Sequence, residues 1–203
     1  MKLRAALGAL AFLGLLLAGC GQPGTPPDLS SASAAATAPT AQSTVDTNVT
    51  GIRIPSIKVN NRQFMQVGLN KDRSMQVPPL NQPGLVAWYK LSPVPGEVGP
   101  AVIVSHRNGN GSPGGFAKLD SVKVGDTIDI DRSDGKTATF KVSRTVLFPK
   151  ADYAKHSGDI FGDLDYPGLR LITCSGDLGP APTYYKDNRV VFAKLVELKP
   201  TAP

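Results

Sequence analysis

The sequence predicts an all-β domain, a closed or nearly closed barrel of eight short strands with one or two short helical turns. Three observations predict it. Apolar, β-rich runs recur along the chain, clusters of Gly, Pro, Asn and Asp separate them, and no long segment repeats its apolar residues at a helical period. With 21 Gly and 18 Pro in 203 residues, turns are frequent enough to keep every element short. Strands spaced in this way favour closure, because a barrel leaves few unpaired edges.

The predicted strands are 51–57, 63–67, 84–88, 101–105, 127–131, 136–144, 168–173 and 189–198. The first carries Ile52, Ile54 and Ile57. The clearest hairpin joins the fifth and sixth, where Ile128 and Ile130 alternate with Asp129 and Asp131 before the turn Ser133-Asp134-Gly135. Helical turns are expected only at 116–121 and 151–155. No internal repeat is present.

Ahead of this domain, Lys2 and Arg4 precede the apolar run 5–18, and Leu17-Ala18-Gly19-Cys20 follows with small residues before a cysteine. This is the pattern of an export signal. The run falls short of the about twenty residues that a membrane crossing needs. Leu-Ala-Gly-Cys resembles the lipobox of bacterial lipoproteins, which implies a signal peptide over 1–19, lipid attachment at Cys20 and anchoring to the outer face of the cell membrane. Residues 20–50 are rich in Ser, Ala, Thr, Pro and Gly and are expected to form a disordered tether. Residues 51–200 then form one domain with a single core.

Charge excludes one class of partner. The 22 Lys and Arg outnumber the 16 Asp and Glu, for a formal charge of +6, yet no basic stripe is interleaved with aromatics. Nucleic-acid binding is therefore not expected. The two His and one spare Cys lack zinc-type spacing, and no acidic cluster suits calcium, so no metal or other cofactor is expected.

Of the two cysteines, Cys20 is assigned to lipid and Cys174 is left over. It ends the apolar stretch Leu169-Arg170-Leu171-Ile172-Thr173-Cys174 and precedes Ser175-Gly176. A free cysteine is ordinarily a small buried hydrophobe. In an exported protein, an unpaired thiol at a strand end is also a candidate nucleophile. His106 ends a second apolar strand, Ala101-Val102-Ile103-Val104-Ser105, whereas His156 lies in a polar loop. If those two strands are parallel neighbours, imidazole and thiol stand side by side. An unperturbed thiol, with pKa about 8.5, is mostly protonated at neutral pH and needs such a partner.

Together these segments resemble the sortases, cysteine transpeptidases of the Gram-positive cell surface, and within them the actinobacterial class F enzymes. The resemblance covers nearly the whole domain. It includes Ile52-Arg53-Ile54-Pro55, Gly84-Leu85-Val86-Ala87-Trp88, Val104-Ser105-His106, Val124-Gly125-Asp126, Leu171-Ile172-Thr173-Cys174 and Lys186-Asp187-Asn188-Arg189-Val190-Val191. It implies a sortase-type barrel in which Cys174 attacks the Thr-Gly bond of a Leu-Pro-x-Thr-Gly-like sorting signal to give a thioester. His106 protonates the leaving amine and deprotonates the incoming one, an amine of a cell-wall precursor. An arginine holds the substrate and the oxyanion. That arginine is assigned as Arg189, which has the planar fork, in preference to Lys186, which stands where class F proteins tend to carry arginine. Thr173, Ser105, Lys186 and Phe161 are implied substrate contacts, and the loop 145–167 adds Phe148, Tyr153 and Ile160. A lipid-anchored sortase-fold binding protein and a peptide hydrolase with impaired transfer are the alternatives.

Overall fold

The computed structural model describes residues 47–180 and 184–201. Its main sheet has nine strands: β1 (Val49–Ile54), β2 (Val59–Asn61), β3 (Phe64–Val67), β4 (Val86–Tyr89), β5 (Gly99–Ser105), β8 (Thr127–Arg132), β9 (Lys136–Pro149), β10 (Pro167–Leu178) and β11 (Tyr185–Pro200). A separate two-stranded ladder joins β6 (Asn108–Gly109) to β7 (Ser112–Pro113). The main order is β2-β1-β8-β9-β11-β10-β5-β4-β3, and β1 approaches β3, so the sheet curls into a nearly closed barrel. Most neighbours are antiparallel; β5 with β10 and β3 with β4 are parallel.

The expected barrel is present, with differences at strand ends. The first predicted strand stops at Ile54 because Pro55 opens a single 3₁₀ turn, Pro55–Ile57, and the chain then forms the short extra strand β2. Residue 50, assigned to the tether, is already in β1, which begins at Val49 opposite Arg132. β9 and β11 outrun their predicted ends because they pair with each other from Asp187 opposite Pro149 to Pro200 opposite Lys136. Cross-strand hydrogen bonds thus hold polar residues extended where alternation fades. The predicted hairpin is present, with Gly135 at φ +74° in its turn.

Beyond the turn at Pro55–Ile57, helix among the described residues is confined to the 3₁₀ segments Leu119–Ser121 and Lys150–His156 and to α1 (Ser157–Phe161). The last two fill most of what the sequence presents as a loop at 145–167. Among the described residues no helix is long and apolar enough to cross a membrane. The signal peptide at 1–19, lipid attachment at Cys20 and all but the end of the tether lie outside the described residues.

Alternation along each strand divides the apolar residues into two layers. Ile52, Ile54, Ile103, Ile128, Ile130, Phe140, Leu169, Leu171 and Val191 fill the barrel. The intervening residues of β5, β10 and β11, including Val102, Val104, Ile172, Val190 and Phe192, face outward and are covered by Phe148 and Ile160. Burying a side chain of this size contributes about 1.5–3 kcal/mol, so the helical cover at 150–161 is fixed to the barrel by its apolar side.

Candidate active site

The parallel pairing of β5 with β10 brings the two strand ends together. Its register ends at Ile172 opposite Val104, so the two strands deliver Cys174 and His106, each two residues further on, to the same end of the sheet. Thr173 and Ser105, on the inward face, clasp the ends: Thr173 Oγ1 donates to the Ser105 carbonyl at 2.9 Å, and Ser105 Oγ to the Leu85 carbonyl at 2.7 Å. Both are buried, and these bonds join β10 to β5 and β5 to the chain entering β4. Ser105 and Ser175 are not among the residues of positive φ, whereas Gly176 is at φ +78°.

His106 is held by main chain on two sides. Its Nε2 donates to the Pro78 carbonyl at 2.6 Å, since a carbonyl only accepts. Its own carbonyl accepts from Phe116 N at 3.1 Å. Gly114 makes that packing possible, because a Cβ there would stand 2.0 Å from the His106 oxygen. Between these points the chain turns through the β6–β7 hairpin on Asn110 and Gly111, at φ +46° and +73°. The Asn-Gly pair is a hairpin signal present in the sequence and missing from the predicted strands.

Cys174 is a free thiol of intermediate exposure. Lys150 Nζ lies 3.6 Å from its Sγ and also 4.7 Å from the Tyr184 ring centroid. The sequence reading missed Lys150. No motif marks it, and it meets the thiol because β9 runs on to Pro149 beside β11, delivering the next residue to this end of the barrel.

The two expected cations fall on different faces. Arg189 pairs directly with Thr173 across β10 and β11, so it shares the inward face, while Cys174 pairs with Asn188 on the other. Arg189 Nε donates to Asp120 Oδ1 at 2.8 Å. No bulge interrupts this stretch of the ladder; the one that occurs lies beyond Ser175. In this arrangement the Arg189 guanidinium is engaged by Asp120, on the face opposite Cys174. Lys186, two residues from Asn188, is exposed on the side of Cys174.

Asp120 gathers the inward polar groups. Ser175 Oγ donates to its Oδ1 at 2.6 Å, and Arg107 donates to Oδ2 and lies over the Tyr185 ring at 5.3 Å. Burial opposes the charge on Asp120, but the hydrogen bonds from Ser175, Arg189 and Arg107 outweigh it and hold the carboxyl below its ordinary range. Burial likewise disfavours the Arg107 cation, and Asp120 more than compensates, raising it.

The covering segment supplies fewer open contacts than expected. Phe148 and Ile160 are core residues, 5% and 0% exposed. Their expected role in binding is thus packing. Phe161 and Tyr153 are partly open and meet edge to face at 6.4 Å, and burial pushes the Tyr153 hydroxyl up to about 12. His156 is not simply solvated: its ring lies 4.5 Å from Phe148. Among the described residues no group of His, Cys, Asp and Glu is arranged to hold a metal ion.

Comparison with known proteins follows the same outline. The model of the Sortase domain matches residues 52–196. Sortase A of Listeria monocytogenes has a similar structure, with 20% identity, 76% of this chain and 91% of that one covered, and a TM-score of 0.55. The sortase A of Actinomyces oris gives 21% identity over 75% of this chain and 82% of that one, with a TM-score of 0.53. For a Streptococcus pneumoniae sortase C the values are 19%, 75%, 67% and 0.53. At these identities the likeness is one of fold. No curated protein matches the sequence.

Proposed function

Because the chain belongs to the sortase family, we propose that it is a cell-surface transpeptidase of the class F kind, acting on a Leu-Pro-x-Thr-Gly-like sorting signal through Cys174. The observation that supports this reading is the parallel pairing of β5 with β10, whose strands lead to His106 and Cys174 at the same end of the sheet. The Cys174 sulfur attacks the Thr carbonyl carbon. A sulfur–carbon bond forms, the Thr-Gly carbon–nitrogen bond breaks, and His106 gives its proton to the departing amine. In the second half an amine of a cell-wall precursor attacks the thioester, His106 takes its proton, and the sulfur leaves. With Nε2 donating to Pro78, Nδ1 is the nitrogen that exchanges these protons.

The N-terminal pattern supports an extracytoplasmic lipoprotein: a signal over 1–19, lipid on Cys20 and a tether that carries the barrel away from the membrane. Phe161 and Lys186, both accessible beside the Cys174 face, are the candidate substrate contacts. One observation favours a second reading, a sortase-fold hydrolase or binder: Arg189 is bound to Asp120 and absent from the thiol's side.

The test is mass spectrometry of the full chain with a Leu-Pro-x-Thr-Gly peptide library, with and without a polyglycine or diaminopimelate-type amine. The expected result is an acyl adduct on Cys174 that passes to the amine and disappears in Cys174→Ala. Release to water with amine present identifies a hydrolase. No adduct on a folded, reduced protein with any peptide in the library overturns the enzyme reading.

A further inference from the structure

Lys150 follows the last residue of β9 and opens the covering segment, and three facts single it out. Its ammonium is 3.6 Å from Cys174 Sγ. The Tyr184 ring flanks the same ammonium at 4.7 Å, a cation–π contact that limits where the flexible stem can place the charge. No carboxylate among the described residues forms an ion pair with it. A half-buried cation whose neighbours are a sulfur and an aromatic face is positioned for an anion formed at that sulfur.

We propose that Lys150 is a catalytic residue of this site and supplies beside Cys174 the positive charge that Arg189 does not. The proposal rests on the reading of Cys174 as the nucleophile. Before attack, the ammonium donates to the anionic sulfur. As the sulfur–carbon bond forms, negative charge passes from sulfur to the carbonyl oxygen of the peptide, and the same ammonium, 3.6 Å from the sulfur, stands beside that shift. Lys150 keeps all its protons throughout; the proton given to the departing amine comes from His106. A lysine suits this arrangement because it needs to supply charge at one point, and its three donors can turn from sulfur to oxygen without the fixed geometry of a guanidinium fork.

The roles divide accordingly. Arg189, on the inward face, is spent on Asp120, and Lys186 is exposed to solvent at a diagonal position on β11. Lys150 is the cation whose position is fixed against the thiol itself.

The experiment compares the full chain with Lys150→Gln and Lys150→Arg, reading modification at the peptide that contains Cys174. Anionic iodoacetate and neutral iodoacetamide attack the same sulfur, so the ratio of their rates reports the charge beside it. A unit charge at about 4 Å in water predicts a roughly fivefold fall of that ratio in Lys150→Gln, with Lys150→Arg within about twofold of the native protein. Adduct formation with a sorting-signal peptide falls about tenfold or more in Lys150→Gln and recovers in Lys150→Arg. Circular dichroism establishes that each variant is folded. An unchanged ratio in folded Lys150→Gln overturns the proposal even where peptide transfer is observed. If the ratio responds as expected while no peptide acylates the native chain, the transpeptidase reading fails and the placement of Lys150 on the thiol stands.

Discussion

On the inward side of β10 and β11, Ser175 and Arg189 meet Asp120, which also takes Arg107. One residue away along each strand, on the outward side, Cys174 and Asn188 face the covering segment, and the thiol's polar neighbour is Lys150. The same two strands thus carry a closed network on one face and an open one on the other. In the closed network each strong donor already has its acceptor, so it holds the barrel end together and has little to offer a ligand. In the open one a cation and a thiol face each other, and no carboxylate among the described residues is ion-paired with that cation. Reactivity belongs to the face where pairing is incomplete, and strand parity decides which residues belong to it.

Breaking the closed side gives the largest expected effect on stability. Asp120→Ala leaves Arg107 and Arg189 without their shared carboxylate. Because the site is 28% open to water, the expected loss is about 1–3 kcal/mol, less than for a fully buried pair, measured by urea unfolding at pH 7. The sign of the pH dependence follows from the direction of the shift. The Asp120 carboxyl is held below its unfolded value, so its contribution is complete above about pH 4 and fades as pH falls through the folded value. The stability difference between the native chain and Asp120→Asn therefore narrows below about pH 4; a constant difference from pH 3 to 7 contradicts the assignment.

Arg189→Met separates the two faces. It is expected to cost about 1 kcal/mol of stability while the rate of adduct formation at Cys174 stays within about threefold. A loss of a hundredfold or more in a folded protein would return Arg189 to the chemistry. The smallest effect is expected at Arg170, on the outward face four residues before Cys174. It is 4% exposed, its Nε has no partner, and its guanidinium lies 4.5 Å from the centre of the Phe192 ring. Burial lowers its pKa, and Tyr166 and the charge of Asp159 offset that only in part. Arg170→Met keeps the packing and removes the desolvated charge, so stability is expected to be unchanged or raised by up to about 1 kcal/mol by thermal or urea unfolding.

Much of this organisation is local and was legible in the residues. Alternation of Ile and Leu with polar residues marks the strands, Gly and Pro mark their ends, and the two apolar runs that finish on His106 and Cys174 identify the chemical pair. These signals survive in sequence because β periodicity and turn geometry depend on near neighbours along the chain. The sequence also bounds what Arg189 can do, since a residue three places from Lys186 on an unbroken strand faces the other side.

Only the tertiary structure decided the rest. That β5 and β10 are adjacent and parallel is a matter of topology, and it alone makes one site of two strand ends. That Thr173, Ser105, Phe148 and Ile160 are buried follows from what is packed against them. That Asp120 claims Arg189, and that Lys150 reaches Cys174, depends on side chains 69 and 24 residues apart meeting in space. Such partners leave no periodic trace, because a long-range electrostatic contact is fixed by where the sheet's curl brings its ends and not by the spacing of residues along either strand.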